Sequence, residues 1–187
     1  MLLSNVLNAP LLQPIRSSYE QWYAFMEEKV DFWLSDSEWH TQAHCARVLL
    51  FSLLIGHLKK VSEEEMNTLA VAAVFHDSRR LDDGADTGHG KRAAEYYKEF
   101  CRKENMFYSE QAYYIMSYHD LNDSLGISEM KRSSSLPERT ILLYKIFKDA
   151  DALDRFRFGP YDLNINYLRT EEALQLVDFA KDLFPKD

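Results

Sequence analysis

The run Leu69-Ala70-Val71-Ala72-Ala73-Val74-Phe75 leads directly into His76-Asp77. As a helix this run is apolar nearly all round, so other elements must surround it. Ser62 followed by Glu65 forms a capping-box pattern that opens this helix. An imidazole and a carboxylate at the end of a buried helix are costly unless something compensates them. A metal ion is the simplest compensation, because it takes the histidine neutral and the aspartate ionised.

The rest of the chain reads as further helices. Tyr19, Trp22, Tyr23, Met26, Val30 and Trp33 recur at helical spacing from about residue 18 to 34. A second helix, from about 37 to 60, places His44, Val48, Phe51 and Ile55 on one face. Residues 82–90 are a polar, glycine-punctuated loop that carries His89. Helices follow at about 90–103 and 109–120, the latter with Ala112, Ile115 and His119 on one face. Residues 121–135 read as a polar connection. Ser135 and Glu138, with Pro137 between them, read as a second capping box. The helix it opens presents Leu143, Tyr144, Phe147 and Asp151. A loop at Gly159-Pro160 and a helix near 171–182 close the chain. No alternating strand of useful length is visible. The expectation is an all-α, single-domain helical bundle over residues 17–187, preceded by an irregular lead at 1–16 with Pro10 and Pro14 as breakers.

Composition narrows the function. The chain has 187 residues and a net charge of −8, which argues against a nucleic-acid backbone as the main partner. A single nucleotide held through a metal stays possible, because metals attract phosphates locally. Cys45 and Cys101 do not make a disulfide framework, so a reduced cytoplasm is the expected setting. No signal peptide is visible, and no apolar stretch is long enough to span a membrane.

Several helices thus each offer one or two nitrogen or oxygen ligands from an apolar face, His44, His76, Asp77, His119 and Asp151, and the polar loop adds His89. Such ligands suit one or two divalent transition metals, namely Mn, Fe, Co, Ni or Zn. Arg47, one turn beyond His44, and Arg80, close behind Asp77, are the favoured phosphate-binding cations; Arg79, Lys91 and Arg92 are further candidates. His40 would lie at the rim or at a solvated helix start, and His57 would be structural. Cys45 points away from His44 and is not taken as a ligand. Any of Tyr113, Tyr114, Tyr118 or Phe158 could stack on a base.

The order His44, His76-Asp77, His89, His119, Asp151 resembles the HD-domain superfamily of metal-dependent phosphohydrolases, with the signature H…HD…D and the two extra histidines of its two-metal members. The resemblance spans residues 40–157. Its nearest local matches are His44-Cys45-Ala46-Arg47-Val48, Phe75-His76-Asp77-Ser78-Arg79-Arg80 and the segment from Lys148 to Arg155. It implies an HD-type bundle and an enzyme that hydrolyses a nucleotide or another small phosphate ester or anhydride through metal-activated water. In that pattern His44, His76, Asp77 and Asp151 hold a first metal, and His89 and His119 join Asp77 at a second. Asp77, Asp120 or Asp149 would accept the water's proton. Among the last aspartates, Asp151 shares the face of Tyr144 and Phe147 and fits the Ala-Asp-x-Leu pattern of HD enzymes; Asp149 is kept beside it, and Asp154 is expected to meet Arg155, Arg157 or solvent. The alternatives are an HD-fold diiron oxygenase and a non-catalytic nucleotide-sensing module.

Overall fold

The computed structural model describes residues 9–35, 37 and 42–184. Among these residues the chain is all-helical, with α1 Arg16–Lys29, α2 Gln42–Leu58, α3 Glu63–Phe75, α4 His89–Glu104, α5 Glu110–Tyr118, α6 Asp123–Arg132, α7 Thr140–Leu153, α8 Glu171–Gln175 and α9 Val177–Asp182. No described helix is long and apolar enough to cross a membrane.

The apolar run sits at the centre, as its sequence demands. Every residue from Thr68 to Phe75 on α3 is buried, and α3 touches α1, α2, α4, α5 and α7. Both arms of the capping box form: Ser62 Oγ accepts from Glu65 N, and the Glu65 carboxylate accepts from Ser62 N. Glu63, Glu64 and Glu65 in the first turn suit the positive end of the helix dipole. Helix α2 is also buried nearly all round and packs between α3 and α7, while α4 pairs with α5. Before α1, Pro10–Leu12 make a short 3₁₀ turn, and Leu12 and Ile15 reach the core.

Four boundaries differ from the periodicity. Helix α1 stops at Lys29 rather than near residue 34, because tertiary bonds pull the next residues out of helix. Asp31 N donates to the Tyr96 hydroxyl, Arg79 donates to Asp31 O, and Trp33 N donates to Ser78 O. Residues 121–135 are not a plain connection: they contain α6, capped by the Asn122 side chain, which accepts from Ser124 N. Only Gly126 and Met130 of α6 are buried, so its apolar stripe is too thin to read. The box predicted at Ser135 and Glu138 does not form. Ser135 Oγ donates to Glu110, and α7 starts at Thr140 with no side-chain cap. The last helix breaks at Leu176 (φ −96°, ψ 0°), giving α8 and α9. The second helix is predicted to begin near Ser37, which is described and is not helical; residues 38–41, and His40 with them, lie outside the described residues.

Candidate active site

The candidate ligands come from helix ends that meet at one end of the bundle. His44 lies in the first turn of α2. His76 is the C-cap of α3, His89 opens α4, and His119 is the C-cap of α5. Asp77 follows His76, and Asp151 projects from the last turn of α7. All are buried except Asp151, whose side chain is 33% exposed toward the cleft.

Their inner atoms converge. The Nε2 atoms of His44 and His76 are 3.1 Å apart, and those of His89 and His119 are 3.0 Å apart. Asp77 Oδ1 lies 3.0 Å from His89 Nε2, 3.6 Å from His119 Nε2 and 3.8 Å from His76 Nε2. Asp77 Oδ2 lies 3.6 Å from His44 Nε2, and Asp151 Oδ1 is 3.3 Å from the same nitrogen. Two groups could hold a metal ion: His44, His76 and Asp77, and Asp77, His89 and His119.

The outer nitrogens are all occupied. His76 Nδ1 is 2.8 Å from Ala73 O, His89 Nδ1 is 2.9 Å from Asp86 O, and His119 Nδ1 is 2.8 Å from Met116 O. His44 Nδ1 is 2.7 Å from Asp154 Oδ2. A carbonyl oxygen only accepts, so these outer nitrogens carry the proton and leave Nε2 as a lone pair facing inward. Burial drives the His76 pKa down to about 3, with His119 and His44 adding to the effect against Asp77. For Asp77, burial opposes ionisation, but His76, His119, His89 and His44 together hold the carboxyl well below its usual range. Asp151 follows the same pattern through His44, His76 and His119.

A cleft of about 620 Å³ opens above this cluster. Arg80 and Asp120 line it, as do Arg155, Arg157, Phe158 and Tyr167. Arg80 sets Nη1 3.3 Å from His89 Nε2 and anchors its other nitrogens on Asp82 O and Gly84 O. Asp120 Oδ2 accepts from the amide of Gly88, a residue whose φ of 95° glycine adopts without strain. Its Oδ1 is buried with no hydrogen-bond partner among the described residues, and so is Arg157 Nε.

Other predicted residues fall elsewhere. Arg47 does not line the cleft; its guanidinium is held by Asp154. The reason is local: the cluster side of α2 belongs to His44, and a fully buried carboxylate claims Arg47. Asp149 is also fully buried, and it accepts from Arg169 N, Thr170 N and Thr170 Oγ1. It pins the segment after the cleft and is not placed to take a proton from a reacting water. Arg79 stacks on Tyr96, Arg92 pairs with Asp86, and Lys91 meets Glu95 and Tyr113. His57 is exposed, and Cys45 Sγ stands 3.8 Å from His76 Nδ1, on the outer side of that ring. Of the candidate stacking aromatics, Phe158 lines the cleft, whereas Tyr113 belongs to the Lys91 contact.

Sequence reasoning missed Arg157, Tyr167 and the structural role of Asp154. Asp151, Asp154 and Arg157 are spaced by three, a helical signal that continues into a 3₁₀ turn at Asp154–Arg157. Tyr167, 70% exposed, carries no signal in the sequence.

Over residues 38–186 the chain matches the family model of the SidE phosphodiesterase (PDE) domain. No curated protein and no solved structure matches it. The family match overturns the resemblance to the HD superfamily. Order and spacing of histidines and aspartates report a buried nitrogen and oxygen cluster on helices, and such a cluster can arise in more than one lineage. With most of its length under that one model, the chain belongs to the SidE phosphodiesterase domain family, whose chemistry is the hydrolysis of phosphate esters.

Proposed function

We propose that this protein is a metal-dependent phosphodiesterase whose substrate, a nucleotide or another small phosphate diester, binds in the cleft above the His/Asp cluster. One observation carries the metal: four imidazoles donate outward through Nδ1, so their Nε2 lone pairs face one another and two carboxylates at 3.0–3.8 Å. Lone pairs this close repel unless a cation sits among them. A proton is a poor substitute at His76, whose pKa lies near 3 through burial. The donor set therefore fits the group. His44, His76, Asp77 and Asp151 would hold one ion, and Asp77, His89 and His119 a second. A bound divalent transition metal of the Mn to Zn series supplies an acidified water and neutralises charge on the phosphoryl oxygens.

The chain's own groups supply the rest. Arg80 and Arg157 present guanidinium edges to the cleft, where they bind phosphate oxygens. Asp120 Oδ1, buried and unpartnered at the cleft wall, accepts the proton of the attacking water. Phe158 and Tyr167 border the opening and offer faces to a planar leaving group such as a base. The family match favours diester hydrolysis over oxygen chemistry with the same ligands.

The test combines elemental analysis with turnover of bis(p-nitrophenyl) phosphate and a panel of nucleotide diesters, before and after chelation. The expected result is one or two transition metals per chain, activity lost on chelation and restored by Mn, Co or Zn. Full activity in metal-free protein would overturn the metal; no diester cleaved by metal-loaded protein would overturn the activity.

A further inference from the structure

Asp154 is wholly buried, three residues beyond Asp151. Its Oδ2 lies 2.7 Å from His44 Nδ1 and accepts from Arg47 Nη2 at 3.1 Å and Arg157 Nη1 at 3.3 Å. Its Oδ1 accepts from Arg47 Nε. Two guanidiniums thus balance a carboxylate that would otherwise be costly to bury. The other three cluster histidines rest their Nδ1 on backbone carbonyls of Ala73, Asp86 and Met116. Among the described residues, His44 is the one whose outer nitrogen lies within hydrogen-bond distance of a carboxylate; at His89 the nearest carboxylate oxygen, Asp120 Oδ2, stands 3.6 Å from Nδ1. The Asp154 carboxylate therefore sets the orientation and the tautomer of His44. That same carboxylate grips Arg157, whose Nε is buried without a partner among the described residues and whose side chain lines the cleft.

We infer that Asp154 is a positioning residue: it locks His44 in the Nδ1–H form with Nε2 toward Asp77 and Asp151, and at the same time fixes Arg157 at the cleft wall. The locking follows from geometry alone, while its catalytic consequence rests on the phosphodiesterase reading above. Asp154→Leu keeps the branched shape of the side chain but offers no acceptor oxygen. His44 Nδ1 then has no carboxylate to donate to, whereas Nε2 still faces Asp77 and Asp151. His44 then prefers to carry its proton on Nε2, where it blocks the inward lone pair.

The experiment reads histidine tautomers by ¹⁵N-edited NMR on metal-free protein at pH about 9, well above the ordinary imidazole range. In the wild type all four cluster histidines should show a protonated Nδ1. In Asp154→Leu the His44 signature should be lost while those of His76, His89 and His119 persist, and kcat of the metal-loaded variant should fall about 10- to 100-fold. Retention of the Nδ1–H form at His44 in the variant overturns the inference, as does an unchanged kcat. If Asp154→Leu does not fold, the wild type decides alone: the His44 Nδ1 proton, donated to a carboxylate, should resonate downfield of the three donated to carbonyls, and coincidence with them overturns the locking. A wild type with no diesterase activity would sink the functional reading while leaving the tautomer result to stand on its own.

Discussion

Asp77 and Asp120 are carboxylates beside the same histidines, yet their surroundings give them different work. Asp77 has an imidazole nitrogen within 3.0–3.8 Å in four directions and is held ionised, so it has no use for a proton. Asp120 has one oxygen engaged by Gly88 N and the other buried with no partner among the described residues. A buried acceptor left empty is a place for a proton to go. Asp120→Asn can still accept from Gly88 N through its amide oxygen, so the loop before α4 keeps its bond. Its kcat should fall about 10²- to 10⁴-fold, the usual size of a general-base contribution, with a melting temperature close to wild type. Steady-state kinetics beside thermal denaturation checks this. A variant that loses stability and activity together would make Asp120 a loop anchor only.

Between elements, the site depends on how closely α4 and α5 approach. A Cβ on Gly90 would stand 2.3 Å from Met116 O and 2.7 Å from His119 Nδ1, so α4 must move for any side chain to fit. Gly90→Ala should cost about 1–3 kcal/mol through overpacking and lower the melting temperature by about 2–4 °C for each kcal/mol. Activity should fall as well, because Met116 O is the acceptor that orients His119. A second tether joins α6 to the segment before α8, where Arg169 forks onto Asp123. Burial opposes ionisation of Asp123, but Arg169 and Lys148 outweigh it and hold the carboxyl below its usual range. The stabilisation is complete above the unfolded carboxylate pKa of about 4 and fades as pH falls through the lower folded value. Asp123→Asn should therefore melt below the wild type at neutral pH, by no more than about 1 kcal/mol for a pair this exposed, and the two should converge in acid. Melting curves from neutral to acid pH read the gap, and a constant gap would remove the ion pair from the account. The helices that bury apolar runs, α2, α3, α5 and α7, were legible in the sequence, with His44, His76, Asp77, His119 and Asp151 on or beside them; His89, read as a loop residue, opens α4. Helix α6 was not, because two buried residues make no stripe. Arg47 was misread because sequence spacing places it one turn beyond His44 without showing that Asp154 lies in wait for it. Asp154 itself was assigned to Arg155, Arg157 or solvent: the Arg157 contact exists, but its link to His44 crosses 110 residues of sequence.

At the scale of the molecule, the cluster is a knot between helices distant in sequence. His44 brings in α2, His76 and Asp77 the end of α3, His89 the start of α4, His119 the end of α5 and Asp151 the end of α7. An ion held by these residues would join five helices at one end of the bundle, and it would bind the folded chain far better than the unfolded one. Linkage then converts occupancy into stability, about 2.7 kcal/mol at a free metal concentration one hundred times Kd. For a chain of 187 residues this corresponds to a rise in melting temperature of about 5–10 °C. Chelator should reverse it. Asp77 belongs to both candidate ligand groups, so Asp77→Ala should abolish most of the rise, whereas Arg47→Ala, which alters the neighbourhood of His44 without touching a ligand atom, should keep it. Scanning calorimetry with Mn, Co or Zn on the three proteins separates the cases. An equal rise in all three would mean that metal binds elsewhere on this acidic surface. No rise in the wild type would mean that the four inward lone pairs are relieved by protons, and a proton-bridged cluster would then replace the metal as the source of the site's chemistry.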